Sequence, residues 1–220
     1  MRKIIVSTFI SMDGVLQSPG GPFEDPDNHF KWGGWSVEYW DDLMNKTMQQ
    51  STSQPFDLLL GRTTYEIFAA HWPYQKDDPT SEKFNKIQKF VVSSRQTIDL
   101  SWQNSTLLTG DVAAELKKLK QQQGPDLLVN GSGKLVQTLL ENKLVDLLHT
   151  WVFPITLGAG KKLFDSGTQP SQWKLTDAKL ASTGVIIASY IPDGDIRLGS
   201  FVPDQISEKE TERRSGFSVE

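Results

Sequence analysis

The sequence predicts an α/β fold whose sheet is parallel in the middle and antiparallel at its C-terminal edge. Three observations predict it. Runs rich in β-branched and apolar residues alternate with helical patterns, as βαβ units require. Several of those runs end in small, donor-rich residues, and two of these junctions open the next helix. The last two runs follow one another with no helix between them, which marks an antiparallel pair.

In chain order, Lys3–Ser11 is a buried strand ending at Met12-Asp13-Gly14. A stretch rich in Gly and Pro follows (Pro19-Gly20-Gly21-Pro22, Pro26, Gly33-Gly34). A loop of that length inside a domain is usually functional or disordered. Ser36 is placed to cap a helix whose apolar face is Trp40, Leu43, Met44, Thr47 and Met48. Phe56–Leu60 is a short strand ending at Gly61, and the next helix carries Tyr65, Phe68, Ala69 and Trp72 until Pro73 stops it. Lys89–Val92 and Ser105–Thr109 are further strands. Asp111 caps a helix through Gln123 that Gly124-Pro125 ends. The strand Asp126–Asn130 turns at Gly131-Ser132-Gly133 into a helix, Lys134–Asn142, with Leu135, Val136, Leu139 and Leu140 inward. Val145–Phe153 is a strand, and Leu175–Leu180 with Val185–Ile191 forms the final hairpin. After about Pro203 apolar content falls, and residues 204–220 read as a charged, solvated tail.

Composition narrows the function classes. The 220 residues suit one domain, and 23 basic against 27 acidic residues leave −4, which argues against a broad nucleic-acid footprint. With no cysteine there is no disulfide framework, thiol nucleophile or zinc-thiolate cluster. No apolar run approaches the roughly 20 residues that span a bilayer, and Ser7, Thr8, Ser11 and Asp13 interrupt the first run too early for a signal peptide. The expectation is a cytoplasmic protein acting on a small molecule, with no membrane or nucleic-acid partner. The sequons at Asn45 and Asn104 are then chance matches.

The chemistry concentrates at three strand ends: Gly61-Arg62-Thr63-Thr64, Ser93-Ser94-Arg95 and Gly131-Ser132-Gly133. In a parallel sheet all three lie along one edge. Two of them open helices, whose unpaired N–H groups and positive dipole ends attract anions. That suits an extended polyphosphate laid across the strand ends. Arg62 and Arg95 stand there with no carboxylate at either strand end, so the pattern favours NADPH over NADH. Each piece also has an ordinary reading, as turn glycine or surface arginine. Asp13 ends the first strand on the same edge, where an Asp could position substrate hydroxyls or relay a proton; Asp-Gly is equally a turn dipeptide. Glu38, Asp41 and Asp42 are alternative carboxylates near a helix start.

Other signatures fail. Gly131-Ser132-Gly133-Lys134 lacks the first glycine and the hydroxyl residue of a phosphate-binding P-loop, with Leu128 and Leu135 in those places. Gly158-Ala159-Gly160 lacks the third glycine of a Rossmann turn. His29, His71 and His149 are too scattered for a metal motif, and His149, in a strand pattern, reads as a packed core residue. No G-x-S-x-G elbow is present.

The order of motifs carries a resemblance. Ser11-Met12-Asp13-Gly14, Gly61-Arg62-Thr63-Thr64-Tyr65, Ser93-Ser94-Arg95 and Gly131-Ser132-Gly133 together resemble the dihydrofolate reductase-like superfamily. Leu144-Val145-Asp146 through Pro154, Leu157-Gly158-Ala159-Gly160 and Leu163-Phe164 are similar to the RibD C-terminal family, the reductase domain of bifunctional riboflavin biosynthesis proteins. The resemblance covers residues 2–203 of an expected domain at 1–203 and implies a three-layer α/β/α fold with NADPH across the strand ends. It implies phosphate contacts from Arg62, Thr63 and Thr64 beside Gly61. Ser93, Ser94 and Arg95 would face the adenosine 2′-phosphate, and Gly131, Ser132 and Gly133 the pyrophosphate. Asp13 would match the acid of the riboflavin-type reductases, which reduce 5-amino-6-(5-phosphoribosylamino)uracil. The chain departs from that pattern in having no zinc deaminase signature and in its Trp-rich loop between Val15 and Trp35. The expected activity is hydride transfer to a small substrate. A non-catalytic nucleotide-binding module and a dihydrofolate reductase proper are the alternatives. The hairpin edges suit a homodimer.

Overall fold

Strands buried on both faces must be apolar at nearly every position, whereas edge strands need not be. The computed structural model, which describes residues 1–165, 168–201 and 206–217, sorts its strands on this rule. All six residues of β2 (Phe56–Gly61) are buried. It sits inside one eight-stranded sheet with β1 (Ile4–Ser11), β3 (Lys89–Val92), β4 (Ser105–Leu108), β5 (Asp126–Val129), β6 (Leu147–Phe153), β7 (Trp173–Leu180) and β8 (Ile186–Pro192). The order is β4-β3-β2-β5-β1-β6-β8-β7. Pairings from β4 to β6 are parallel, and β8 runs antiparallel to both β6 and β7. The expected hairpin is therefore present at the expected edge.

Alternation along the strands builds three layers. Ile4, Val6 and Ile10 of β1, Leu59 of β2 and Leu127 and Val129 of β5 pack with Leu116 and Leu119 of α4 (Val112–Gln121) and with Leu135, Val136, Leu139 and Leu140 of α5 (Gly133–Glu141). Residues one step out of phase face the other way. Leu58, Leu60 and Leu128 meet Tyr65 of α2 (Arg62–His71) and Phe84 of α3 (Pro79–Lys86). Trp151, Phe153 and Ile187 meet Met44 of α1 (Asp42–Ser53).

The differences from the sequence reading have local causes. The first helix starts at Asp42, and its cap is Asp41, which accepts from the Met44 N–H at 2.9 Å. Ser36 instead donates to the Pro19 carbonyl at 2.8 Å and precedes a short 3₁₀ turn, Val37–Tyr39. The helix α3 was not anticipated. It begins Asp-Pro, a good start signal, but only Ser81 and Phe84 are buried, so its apolar stripe is too thin to read. Past residue 205 a further helix, α6 (Glu208–Ser215), is capped by Ser207 and buries nothing, so the charged tail is solvated but helical. The expected boundary at 203 lies outside the described residues.

Candidate functional site

Six parallel strands place their carboxyl ends on one edge, and the registers show that this edge is stepped. Ile5 of β1 stands level with Leu128 of β5, so β1 runs on to Ser11, three residues beyond the level of Gly131. At about 3.3 Å per residue that is a rise of about 10 Å. β6 rises with it, Ser11 pairing with Phe153. The result is a low ledge across β3, β2 and β5 against a taller wall of β1 and β6. From β3 to β1 the ledge is three strand spacings, about 14 Å, wide.

The structure packs two predicted junctions directly together. A Cβ on Gly61 would lie 2.2 Å from Ser132 Oγ and 2.9 Å from the Ser132 nitrogen. The φ of Gly61 is −70°, open to any residue, so glycine is needed for space rather than for backbone freedom. Gly131 sits at φ +152° with Thr64 Oγ1 2.8 Å from where its Cβ would be. Its N-terminal neighbour in the chain, Asn130, ties β5 to β1 through an Nδ2 hydrogen bond to the Ser7 carbonyl at 3.2 Å. Ser93-Ser94-Arg95 lies one strand along, at the end of β3.

The two helices that open from these junctions differ from the others. Asp41, Asp78, Asp111 and Ser207 each cap a helix by accepting from its first turn. The N-caps of α2 and α5 are Gly61 and Ser132, and neither makes a side-chain cap hydrogen bond. The first-turn N–H groups of α2 and α5, Thr63 and Thr64 in α2 among them, are left to outside acceptors, and the close packing that glycine allows brings the two helix ends together. Arg62 adds a cation at a helix N-terminus, the unfavourable end for it unless an anion is bound. Its Glu66 partner, 2.6 Å away and exposed, is an i,i+4 pair of the weak kind.

At β3 the Ser93 hydroxyl accepts from the Arg95 N–H at 2.9 Å and shapes the turn. Ser94 and Arg95 are exposed, and among the described residues the Arg95 guanidinium has no partner. An exposed, unpaired arginine beside two serines is a fit for a phosphate monoester.

Asp13 stands apart from these junctions, above the wall. Its carboxylate accepts from Ser11 Oγ at 2.6 Å, Leu157 N at 3.0 Å and Gly158 N at 2.8 Å. The Ser11 bond, opposed by partial burial and aided by the two N–H groups, holds its pKa at about 2. The carboxylate is ionised at neutral pH and stitches the end of β1 to the turn after β6. Of the alternative carboxylates, Asp41 is taken up by the cap and by Ser182, whose N and Oγ both donate to it at 2.7 Å; Glu38 and Asp42 are exposed.

Sequence reasoning missed the device that closes the wall. Gln17 is buried, its amide donating to the carbonyls of Asp25 and Asp27 and accepting from the Lys161 N–H at 3.0 Å. Lys161 Nζ bridges Asp25 at 2.6 Å and Asp27 at 2.8 Å. Burial opposes its charge, but these two carboxylates outweigh that and raise its pKa. Trp35 Nε1 donates to the Gln17 carbonyl at 2.7 Å. The Gly/Pro-rich stretch is thus a built loop clasped to residues 157–163, leaving Phe23 and Trp32 exposed. The only signal in the sequence was the lysine itself, indistinguishable from a surface charge. Among the described residues no cluster of three metal-ligating side chains occurs, and no helix is long and apolar enough to cross a membrane.

The mixed, mostly parallel eight-stranded sheet with its antiparallel C-terminal edge is the fold of the dihydrofolate reductase-like class. The same fold occurs in a dihydrofolate reductase from Enterococcus faecalis solved with NADP(H), at TM-score 0.55 and 13% identity over 87% of this chain and 96% of that one. It occurs again in a pyrimidine reductase-like protein from Corynebacterium diphtheriae, at TM-score 0.58 and 12% identity over 88% and 93%. Within that class the chain belongs to the RibD C-terminal domain family, whose model matches residues 2–187. A relative in Bacillus subtilis, the uncharacterized protein YyaP, is 26% identical over 198 residues, covering 86% of this chain and 94% of that one.

Proposed function

We propose that the chain is an NADPH-dependent reductase that transfers a hydride to a small heteroaromatic or sugar-linked substrate, resembling 5-amino-6-(5-phosphoribosylamino)uracil reductase. The observation that carries this reading is the pair of uncapped helix N-termini meeting at Gly61 and Gly131. When bound, NADPH supplies the hydride, and the chain's own residues bind, orient and shield. Thr63 and Thr64 of α2 and Ser132 and Gly133 of α5 donate to the pyrophosphate, with Arg62 adding charge. Arg95, Ser93 and Ser94 take the 2′-phosphate. The wall of β1 and β6 and the clasped loop exclude water and fix the substrate against the ledge. Asp13 acts as a positioning residue, holding the Leu157–Gly158 turn. The exposed apolar residues of β7 and β8, Leu175, Leu180 and Ile186, support a homodimer through this edge.

Tryptophan fluorescence titration tests the reading. NADPH is expected to quench saturably at micromolar concentration, and Arg95→Ala to weaken NADPH about 10-fold or more while sparing NADH. Equal losses for the two cofactors would remove the 2′-phosphate role. A second reading, a non-catalytic nucleotide-binding module, is favoured by one observation: the Asp13 carboxylate is held ionised by three hydrogen bonds, so it has no proton to give. NADPH binding without consumption across a pyrimidine, pterin and carbonyl panel would decide for the module.

A further inference from the structure

A sheet face covered by a helix is normally apolar, and here one row across it is not. The registers align Asn130 of the β5 end, Ser7 of β1, His149 of β6, Ser189 of β8 and Asp177 of β7 across five neighbouring strands. All point to the face that α1 covers. The covering helix changes character to match: Met44 and Met48 pack over Trp151, and beside them Thr47, Gln50 and Ser51 line the space over the row. Between them lies a cavity of about 250 Å³ lined by Ser7, Ser51, His149, Trp151, Lys179 and Ser189 among others. A second cavity of about 80 Å³ shares Ser7, Ser51 and His149 as walls. It reaches Pro55, Phe56 and Asp126 at the amino-terminal edge of the sheet, away from the ledge.

Polar groups buried at a sheet–helix interface without partners cost about 1–3 kcal/mol each, and among the described residues Asn130 Oδ1 of this row is one, whereas the Ser7 and His149 side chains open to the cavity. Among the described residues the Ser7 hydroxyl has no partner, although the residue is only 9% exposed. His149 uses Nδ1 on Ser189 Oγ at 2.8 Å, and among the described residues its Nε2 has no partner. Lys179 Nζ reaches only weakly, at 3.4 Å, to Thr47 and Gln50. On the side of the strand carboxyl ends the chamber is closed by rings: Phe9 lies 5.3 Å from Trp151 and 5.7 Å from Trp40, which stacks on Trp151 at 5.9 Å. The chamber is therefore separate from the ledge.

We infer that this chamber beneath the second half of α1 is a binding site for a small neutral polyhydroxylated molecule, a sugar or polyol, entering from the amino-terminal edge of the sheet. Hydroxyls, an amide and an imidazole supply donors and acceptors together. In the larger cavity the formal charges of Asp177 and Lys179 cancel beside a histidine whose burial favours its neutral form, and Asp126 at the mouth adds a negative charge, so the lining gives an anion no attraction. Trp151 and Ile187 offer apolar wall to C–H faces. The combined space is at the lower end of the range for small-ligand sites, about 300 Å³.

Nitrogen-15 NMR titration of the full chain with xylitol, and separately with inorganic phosphate, tests it. The expected result is saturable shifts at the Trp151 and His149 ring signals with xylitol, and none there with phosphate. Ser51→Phe, which changes an exposed helix position on the shared wall, should abolish those shifts, and Ser189→Ala should weaken them several-fold. The dispersion of the amide spectrum and the melting temperature of each variant report that it is folded. Three results would overturn the inference: no saturation to high millimolar xylitol, shifts unchanged in Ser51→Phe, or shifts centred on Gly131–Gly133. Any of them would leave the chamber as a water-filled void.

Discussion

Gly61 and Asp13 show how single positions divide between space and charge. Gly61→Ala places a methyl 2.2 Å from Ser132 Oγ and 2.9 Å from its backbone nitrogen, so the two junctions must part. The expected outcome is a loss of about 1–3 kcal/mol in stability by denaturant melts, with a larger proportional loss of NADPH affinity. Unchanged melting and binding would mean that the junctions are not packed as described. For Asp13 the folded pKa of about 2 lies below the ordinary aspartate value of 3.8. Its contribution to stability is complete above the unfolded value and is lost as pH falls through 2. Asp13→Asn should therefore destabilise the chain at pH 7 and by much less near pH 2, with cofactor affinity nearly intact. A pH-independent difference would assign the loss to something other than the charge. Both residues were picked out from sequence as strand-end positions. What sequence could not supply was the packing partner of Gly61, 71 positions away, or the two backbone hydrogen bonds to Asp13 from residues 144 and 145 positions away.

At the scale of elements, the periodic strands and helices were legible, and the misses were those whose stabilising groups lie elsewhere in the chain. The helix α3 is held at its C-terminal end by Lys89 of β3, whose buried ammonium donates to the carbonyls of Phe84 and Ile87 and lies 4.4 Å from the Trp102 ring centre. Lys89 is fully buried, and a lysine opening a strand gives no sign of that in the sequence. Desolvation, only partly offset by Asp57, pulls its pKa down to about 8. The unfolded chain holds its proton to about 10.5, so it binds more protons than the folded chain between those values. Stability should rise as pH goes from 8 towards 10, by an amount on the order of 2 kcal/mol. Lys89→Met should flatten that slope, and a slope identical in the variant would reject the assignment. The same reasoning explains the first helix. Ser36 and Asp41 are both acceptable caps by type, and the choice fell to Asp41 because Ser182 in the β7–β8 turn also binds it.

For the whole molecule, the parallel sheet is what converts scattered Gly and Ser junctions into one site, and this much could be read in advance from the alternation of strands and helices. The step in the edge could not, because it depends on the register between β1 and β5, nor could the clasp of Lys161 on the loop it closes. The acidic balance of −4 is compatible with the anion-binding role proposed for the ledge, since two uncapped helix ends and two arginines would provide a positive field locally. Amide hydrogen–deuterium exchange with and without NADPH tests that central claim most directly. The account predicts slowed exchange at Thr63, Thr64, Ser132 and Gly133, with a smaller effect at Ser94 and Arg95 and none in α1, α3 or α4. Protection absent from both uncapped helix ends, or confined to the Asp-capped helices, would contradict it.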